Sequence, residues 1–456
     1  MNRNFTMHFP AIVVGAGGTG LAAALALSDA GVEVLVLERD STPLGSTAMS
    51  TGLIPAAGTA EQEERGIVDS PEQFLADILA KTKGRTDAAV AKRLAEESAE
   101  TVSWLRARHG IPLDLVDGFT YPGHSARRMY GTPNRTGSEL MAALESAAAK
   151  AGVTVLTDAT VTGLRSDGKR VTGVDFIRPD GESESIGCDA LILACSGFGG
   201  NAEMVQRWIP EMAGAVYHGH PGNRGDAVAW GEALGAAVAD MTGYQGHGGL
   251  AAGHGIPILW PLIVEGGFQV NAAGLRFSNE ASGYSEQAAK VNAQAGQVAW
   301  SIFDARLDRL MRDFDDYRDA LRANAIVTAD SPEELAEKLR LPTAALAQTM
   351  AEVAAMTRGE MIDPRGRDFT GKPPLEPPYH AVKVTGALFH TQGGLVVDSD
   401  ARVLAPDGTP FPNLFAGGGA ARGISGPAAD GYIAGNGLLT ALGLGKLAGR
   451  AAAKLL

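Results

Sequence analysis

The chain has 456 residues, 45% of them apolar and 20% charged, which is ordinary for a folded protein of two or more domains. Its net charge of −13, with no long basic run, argues against nucleic acid and anionic membranes as partners. Two cysteines, Cys188 and Cys195, are too few for a disulfide framework or a cysteine metal cluster, and they fit a reducing cytoplasm.

The first predicted elements are a strand over 11–14, a glycine-rich turn, a helix and a second strand that ends at Glu38. In the turn GAGGTG, Gly15 permits a tight bend, Gly17 lets a pyrophosphate approach the backbone, and Gly20 allows the helix to pack closely on the strand. Free N–H groups at the helix start favour phosphates. Glu38 can accept hydrogen bonds from an adenosine ribose, and its charge disfavours NADP. The alternative is an ordinary glycine-rich turn.

The apolar stretch 11–28 contains four glycines and has a strand–turn–helix pattern, so we predict no membrane span there. The elements predicted next are a helical region over 71–108, a helix over 138–150, a strand over 152–161, a hairpin that turns at Asp167-Gly168, a strand over 188–195 and a helix over 225–236.

The character of the chain changes near residue 240, where Gly- and His-rich loops are followed by helices near 286–322 and 331–356. A proline-rich segment over 364–380 resembles a hinge, and strands and a long final helix follow it. We therefore predict an α/β fold, with a Rossmann-type dinucleotide-binding domain in two parts and an inserted α+β cap domain. The predicted boundaries are 1–239 and 381–456 for the first domain and 240–380 for the cap, which is expected to close over the cofactor and exclude water.

Several motifs occur together and in order, and as a set they are more specific than any one alone. They are GAGGTG with Glu38, GSTAMSTG, LILACSGFGGN, GDAVAWGEALGA, NAAGLRFSNE, HTQGGLVVD, LFAGGG and GYIAGNGLLTALGLGKLAG. This set resembles the fumarate reductase and 3-ketosteroid dehydrogenase superfamily of flavoproteins over most of the chain. The resemblance implies an FAD-dependent enzyme that acts on a C–C bond beside a carbonyl or carboxyl group.

The resemblance also implies which residues hold FAD. The start of the last helix would face the flavin O2 and N1 edge and stabilise negative charge there. No histidine lies in STAMST, where some members attach FAD covalently, so non-covalent FAD is implied. The residues implied for FAD are Gly15, Gly17, Gly18, Gly20, Glu38, Arg39, Ser46, Thr47, Gly52, Val161, Gly197, Gly418, Asn436, Leu438 and Leu439.

Two positions distinguish the branches of this superfamily. Fumarate reductases have a proton-donating arginine four residues after an Asn-Glu pair, where this chain has Tyr284. They also have a carboxylate-binding arginine where this chain has Tyr432. The ketosteroid dehydrogenases have tyrosines at both positions: the first removes an α proton, and the second donates to the ketone oxygen together with a backbone N–H, here that of Asn436. The alternative is two tyrosines that fill an interface.

Other positions depart from the steroid enzymes. His390, Thr391 and Gly394 lie in HTQGG, which resembles a carboxylate-binding segment of fumarate reductases, and Arg422 lies in a loop near the last motif. Together with a cap that is small for a steroid, they suggest a compact cyclic ketone that also bears a carboxylate. The alternative is a structural role, which is common for a strand-end histidine or a loop arginine. Tyr121 loosely matches a supporting catalytic tyrosine of the steroid enzymes.

The leading hypothesis is thus an FAD-dependent 1,2-dehydrogenation of a ketone, and the runner-up is a reductase of activated alkenes such as fumarate-like dicarboxylates. The third hypothesis is a flavin-binding subunit without enzymatic activity. No metal is expected, because His247 and His254 lie in glycine loops with no nearby acid or thiol to complete a ligand set. Arg276 is expected to form ion pairs with acids such as Glu280. The partners predicted are a small-molecule substrate and an electron acceptor that is oxygen or a diffusible carrier.

Overall fold

The computed structural model describes residues 5, 7–116, 118, 120–121 and 123–456. The helices are α1 (Gly18–Asp29), α2 (Gly45–Ala48), α3 (Ala60–Glu64), α4 (Pro71–Thr82), α5 (Ala88–Ala107), α6 (Gly137–Lys150), α7 (Ala202–Trp208), α8 (Asp226–Ala233), α9 (Pro261–Val264), α10 (Tyr284–Asn292), α11 (Ala305–Met311), α12 (Asp315–Arg322), α13 (Pro332–Leu339), α14 (Thr343–Thr357) and α15 (Asn436–Ala453). The 3₁₀ turns are Pro210–Met212, Glu280–Ser282, Ala295–Gln297, Gly418–Ala420 and Ala429–Gly431.

The strands are β1 (Met7–Val14), β2 (Val34–Leu37), β3 (Ile54–Pro55), β4 (Asp114–Val116), β5 (Met129–Gly131), β6 (Thr154–Leu156), β7 (Thr160–Asp167), β8 (Arg170–Ile177), β9 (Ser183–Leu193), β10 (Val216–Tyr217), β11 (Val238–Ala239), β12 (Tyr244–Ala251), β13 (Ile256–Pro257), β14 (Phe268–Val270), β15 (Val298–Asp304), β16 (Ile326–Ala329), β17 (Tyr379–Thr391), β18 (Gly394–Leu395), β19 (Arg402–Leu404) and β20 (Pro410–Ala416).

The chain divides into two compact units. The first comprises Met1–Ile209, Gly219–Tyr244 and His390–Leu456, and the second comprises Pro210–His218 and Gln245–Phe389. On either side of the longer insertion, β11 and β18 pair antiparallel within the first unit. The boundaries predicted from the sequence near 239 and 380 stay a prediction.

The main sheet of the first unit has the strand order β19-β20-β9-β1-β2-β6. Its central strands β20, β9, β1, β2 and β6 run parallel, and β1 and β2 bury continuous apolar runs because helices cover both faces of such a sheet. The predicted hairpin is confirmed, since β7 and β8 pair antiparallel around a turn in which Gly168 has a φ of 59°. These features confirm the predicted α/β class.

Helices α1 and α15 pack closely in the first unit. A Cβ on Gly445 would lie 2.4 Å from the Thr19 carbonyl oxygen, and a Cβ on Gly449 would lie 2.4 Å from that of Ala23. Glycine at these positions therefore permits backbone contact, which explains the many small residues of the final helix. No helix among the described residues is long and apolar enough to cross a membrane.

The second unit contains a mostly antiparallel sheet in the order β13-β12-β17-β15-β14, in which β10 pairs parallel with β17. Helices α9 to α14 lie in the same unit. The structure corrects the helical region that was predicted near 286–322, because β15 interrupts it with the segment VAWSIFD. Six of its seven residues are buried. A short, mostly apolar and mostly buried run fits a central strand as well as a helix, and its periodicity does not distinguish the two.

Candidate functional site

The glycine-rich turn between β1 and α1 forms an open cradle at a helix start. Gly15 has a φ of 102°, and a Cβ on Gly20 would lie 1.8 Å from the Gly15 carbonyl oxygen, so both positions require glycine. By contrast, a Cβ on Gly17 would meet none of the described atoms within 4 Å. Gly17 is the N-cap of α1, no side chain caps this end, and the first turn has no acidic residue. The cradle therefore offers N–H groups to an anion.

Glu38 closes one side of this cradle. Its carboxylate accepts hydrogen bonds from the backbone N–H of Ala16 at 2.7 Å and of Asp40 at 3.0 Å. On the other side, Thr47 Oγ1 accepts from the Gly18 N–H at 3.1 Å. The acid, the turn and α2 are thus held together by short polar contacts.

Other residues predicted for the cofactor stabilise this region through contacts within the protein. Ser46 Oγ accepts from Asn223 Nδ2 at 2.8 Å, and Arg39 Nη1 donates to the Gly222 carbonyl at 2.8 Å. Gly52 has a φ of 66°, and a Cβ there would lie 2.7 Å from the Thr136 carbonyl oxygen. Val161 is a buried position of β7.

Two more glycines predicted for the cofactor lie where the backbone is crowded. A Cβ on Gly197 would lie 2.1 Å from Thr391 Oγ1, and a Cβ on Gly418 would lie 2.3 Å from Thr19 Oγ1. Thr391 Oγ1 accepts from the Phe198 N–H at 3.1 Å. Thr391 therefore joins β17 to the loop after β9.

The start of α15 brings a tyrosine hydroxyl beside the N-terminal backbone of the helix. The N-cap Gly435 has a φ of 82°, no side chain caps the helix, and its first turn has no acidic residue. Tyr432 is buried, and a Cβ on Gly437 would lie 3.7 Å from its hydroxyl oxygen. The Asn436 N–H donates to the Ile433 carbonyl at 3.2 Å. The positive end of α15 and the phenol therefore lie together.

The side chains of this first turn are buried. Asn436 is fully buried, and within the described part of the chain neither Oδ1 nor Nδ2 of its amide has a hydrogen-bond partner. Leu438 and Leu439 are also buried.

His390 is held as a neutral donor. Gln392 Nε2 donates to His390 Nδ1 at 3.0 Å, which leaves the ring proton on Nε2. Burial lowers the pKa of His390 to about 4, although part of its surface remains accessible. Gln392 was not predicted as a site residue. It lies two residues after His390 at the end of β17, a spacing that places strand side chains on the same face.

Arg422 is engaged by two acids. Its Nε donates to Asp240 at 2.6 Å and its Nη1 to Asp87 at 3.1 Å, and the side chain is 19% exposed. These two ion pairs favour a structural role for Arg422 over contact with a substrate carboxylate. Gly394 is a crowded position, because a Cβ there would lie 2.7 Å from the Ala420 carbonyl oxygen.

Tyr284 is the first residue of α10 in the second unit, and its ring belongs to an aromatic cluster. The His247 ring lies 5.4 Å from the Tyr284 ring, and Trp260 lies 6.3 Å from it, measured between centroids. His247 also stacks on Phe389 at 5.2 Å, and burial lowers the pKa of His247 to about 3. The neutral His247 ring accepts from the Gly249 N–H at Nδ1 and acts as an aromatic side chain of the cluster.

The second unit also contains a buried ion-pair network. Arg276 Nη2 donates to Glu280 at 2.7 Å, which confirms the predicted pair, and Arg276 Nη1 donates to Asp363 at 3.0 Å. Arg367 adds a third contact, to Glu280 at 3.1 Å. The network stabilises the segment that leads to Tyr284.

Tyr121 lies against an apolar cluster in the first unit, formed by Leu53, Val116, Met129 and Ala434. Burial raises the pKa of Tyr121 to about 12, so its phenol stays protonated. Phe119 and Pro122, its neighbours in the motif FTYPGH, lie outside the described residues.

Residues 11–438 match the family model of the FAD binding domain, and the chain belongs to that family. The NADH:fumarate oxidoreductase of Klebsiella pneumoniae is 30% identical over 98% of this chain and 48% of its own length, so the chain spans about half of that relative. The 4-oxocyclohex-2-ene-1-carboxylate 5-dehydrogenase of Sinomonas cyclohexanicum is 27% identical over 100% of this chain and 95% of its own length.

Two solved structures have a fold similar to that of this chain. A flavocytochrome c3 fumarate reductase in its open conformation has a TM-score of 0.84 and 28% identity, covering 99% of this chain and 79% of that protein. A 3-ketosteroid-Δ4-(5α)-dehydrogenase from Rhodococcus jostii has a TM-score of 0.79 and 26% identity, covering 99% and 98%. The proteins that this chain resembles thus include both ketone dehydrogenases and fumarate reductases.

The residues of the cradle fit FAD. The open side of Gly17 and the uncapped start of α1 suit its pyrophosphate, and the Glu38 carboxylate suits its adenosine ribose.

We predict that the FAD is bound without a covalent link. Residues 45–52 contain no histidine, and Ser46 and Thr47 make hydrogen bonds within the protein. Acid precipitation should therefore release the yellow colour into the supernatant, where chromatography should identify FAD. A coloured pellet would contradict the non-covalent link, and FMN in the supernatant would contradict the ribose role of Glu38.

We also predict that mild acid destabilises the fold through its buried neutral histidines. The pKa values of His124 and His390 are lowered to about 4, and that of His247 to about 3, mainly by burial. Below a pH of about 6.5 the unfolded chain takes up these protons before the folded chain does, so stability falls as the pH falls. Between pH 7 and 5.5 each histidine should cost about 1 kcal/mol.

Urea unfolding at the two pH values measures this effect. The variant His124→Gln should lose about 1 kcal/mol of the difference. The variant His254→Gln, at an exposed position, should keep all of it. Equal free energies of unfolding at pH 7 and 5.5 in the unmodified protein would refute the prediction.

Proposed function

We propose that the enzyme desaturates a compact cyclic ketone by removing an α proton and a β hydride. The observation that supports this most directly is the Tyr432 hydroxyl beside the uncapped start of α15. A C–H bond next to a ketone becomes acidic only if negative charge on the oxygen is stabilised as it forms. A phenol O–H and helix N-terminal N–H groups supply that stabilisation.

In the proposed reaction Tyr432 donates a hydrogen bond to the ketone oxygen, assisted by the positive N-terminal end of α15. Tyr284 takes the α proton onto its phenolate oxygen. A tyrosine base needs its pKa lowered from about 10. Tyr284 is the first residue of α10, where the helix N-terminus favours negative charge and the Glu286 carboxylate of the same turn opposes it.

When bound, FAD supplies the acceptor for the hydride that leaves the β carbon. Loss of the α proton and the β hydride leaves a C=C bond conjugated with the ketone. The electrons then pass to oxygen or to a diffusible carrier.

A carboxylate on the substrate is the second part of the proposal. His390 offers an Nε2–H donor whose tautomer is fixed by Gln392, and a neutral donor can bind a carboxylate. The printed name of the Sinomonas relative, a dehydrogenase of an oxocyclohexene carboxylate, supports a substrate with both groups. The proposed substrate class is therefore a cyclic ketone that bears a carboxylate.

Reduction of fumarate-like alkenes is the alternative function. It is favoured by His390 and by the fumarate reductases among the relatives. It is disfavoured by Tyr284 and Tyr432, because neither phenol carries the positive charge that a dicarboxylate attracts.

Anaerobic flavin reduction tests the two functions against each other. The oxidised enzyme is mixed with 4-oxocyclohexane-1-carboxylate, with its methyl ester and with a plain cyclohexanone. We expect the keto acid to bleach the flavin fastest and to yield an α,β-unsaturated ketone. The proposal would be overturned if no ketone bleached the flavin while the dithionite-reduced enzyme turned over fumarate rapidly.

A further inference from the structure

A buried polar chain in the first unit ends on the loop that carries Tyr432. The loop of residues 432–436, here called the oxygen-site loop, presents its Ala434 carbonyl to His124, whose Nε2 lies 2.9 Å away. The other ring nitrogen of His124 lies 3.2 Å from Arg128 Nη1. His124 and Arg128 are both buried, and the reaction proposed above uses neither of them.

The two neighbours of His124 fix its tautomer. A carbonyl only accepts and an arginine only donates, so Nε2 must carry the proton and Nδ1 must accept. Protonation of Nδ1 would place two donors against each other. Burial and the charge of Arg128 lower the pKa of His124 to about 4, which keeps the ring neutral near pH 7.

Arg128 is in turn held rigidly. Its Nε and Nη2 form a two-point contact with the Asp69 carboxylate at 2.9 and 2.8 Å, and Nη1 also donates to Asp77. The side chains of Arg128 and Asp69 are fully buried. Phe74 lies against both, with its centroid 4.5 Å from the Arg128 guanidinium and 5.9 Å from the His124 ring. Because paired carboxylates and planar stacking leave Arg128 little freedom, the His124 ring has one position.

A second contact acts on the same loop. Gly123 has a φ of 89°, and a Cβ there would lie 3.2 Å from Ile433 Cγ1, so the backbone before His124 packs directly on Ile433. Residues 123 and 124 therefore contact two successive positions, 433 and 434, between Tyr432 and Asn436.

We infer that His124 is a positioning residue for the ketone oxygen site, and that it orients Tyr432 and the start of α15 by holding the Ala434 carbonyl. This inference rests on the proposed function. Misplacement of a catalytic group by about 1 Å costs on the order of 100-fold in rate. We therefore expect loss of the His124 contact to slow the chemical step by about 10-fold to 100-fold and to leave FAD binding intact.

The test compares three holoenzyme variants. His124→Phe keeps an aromatic ring but removes both nitrogens, and His124→Gln restores one donor and one acceptor. His109→Phe is the matched control, because the His109 ring also lies against an aromatic side chain, that of Trp104, and makes a polar contact, to Asp29, just after α5. Hydrogen–deuterium exchange of the segment 429–439 reports on the loop, and kcat and KM for the keto acid report on the reaction.

We expect His124→Phe to exchange faster over 429–439 and to lose kcat with little change in KM. His124→Gln should recover part of both, and His109→Phe should change neither. Unaltered exchange and kcat in His124→Phe, or equal changes in His109→Phe, would overturn the inference. If the unmodified enzyme oxidises no ketone, the proposed function fails, and the exchange result alone decides whether His124 holds the loop.

Discussion

Replacing Tyr284 with phenylalanine should lower turnover of the ketone by 10²–10⁴-fold, the contribution expected of a general base. The change removes only the hydroxyl. The ring contacts with His247 and Trp260 remain, so the fold and the bound FAD should be retained. Rapid-reaction absorbance of the flavin, with the visible spectrum as a check on loading, measures the effect.

Tyr317→Phe is the matched control for this experiment. Tyr317 is a buried tyrosine of the same unit, and its hydroxyl donates to Asp308 at 2.9 Å. Loss of the Tyr317 hydroxyl should reduce the free energy of unfolding by about 1 kcal/mol or more and leave turnover unchanged. A Tyr284→Phe enzyme that reduces its flavin as fast as the unmodified protein would refute the assignment of the base.

Replacing Tyr432 with phenylalanine should cost roughly 10²–10³-fold, mainly in kcat, because one donor to the developing enolate oxygen is lost. With the chemical step slowed, substrates deuterated at the α or β carbon should show a larger isotope effect on kcat. Tyr130→Phe is the control, since Tyr130 is a fully buried tyrosine of the same unit whose hydroxyl contacts Thr59. An increase in KM alone would indicate that Tyr432 contributes binding and no enolate stabilisation.

Local patterns explain why much of the first unit could be predicted. The turn GAGGTG permits few backbone arrangements, and both the φ of Gly15 and the crowding at Gly20 agree with its predicted roles. The final helix was predictable for a similar reason, because its small residues permit backbone contact with α1. Such features depend on residues near one another in sequence.

Contacts between distant residues were beyond prediction. The ends of the His124 chain, Asp69 and Ala434, are 365 positions apart, and no spacing in the sequence joins them. Arg422 was ambiguous for the same reason: its partners Asp87 and Asp240 lie far from it in sequence, and only the folded chain brings the three together.

The open side of Gly437 offers a route to altering substrate selectivity. A methyl group there would lie 3.7 Å from the Tyr432 hydroxyl, an ordinary contact distance, so alanine should be accommodated while larger side chains intrude progressively beside that hydroxyl. Substitutions at position 437 thus vary the volume beside this hydroxyl in steps and leave Tyr284 and Tyr432, the proposed catalytic residues, unchanged. Gly437→Ala and Gly437→Val should shift relative kcat/KM toward smaller rings in a series of cyclic ketones, and an unshifted ranking would mean that the oxygen site lies elsewhere.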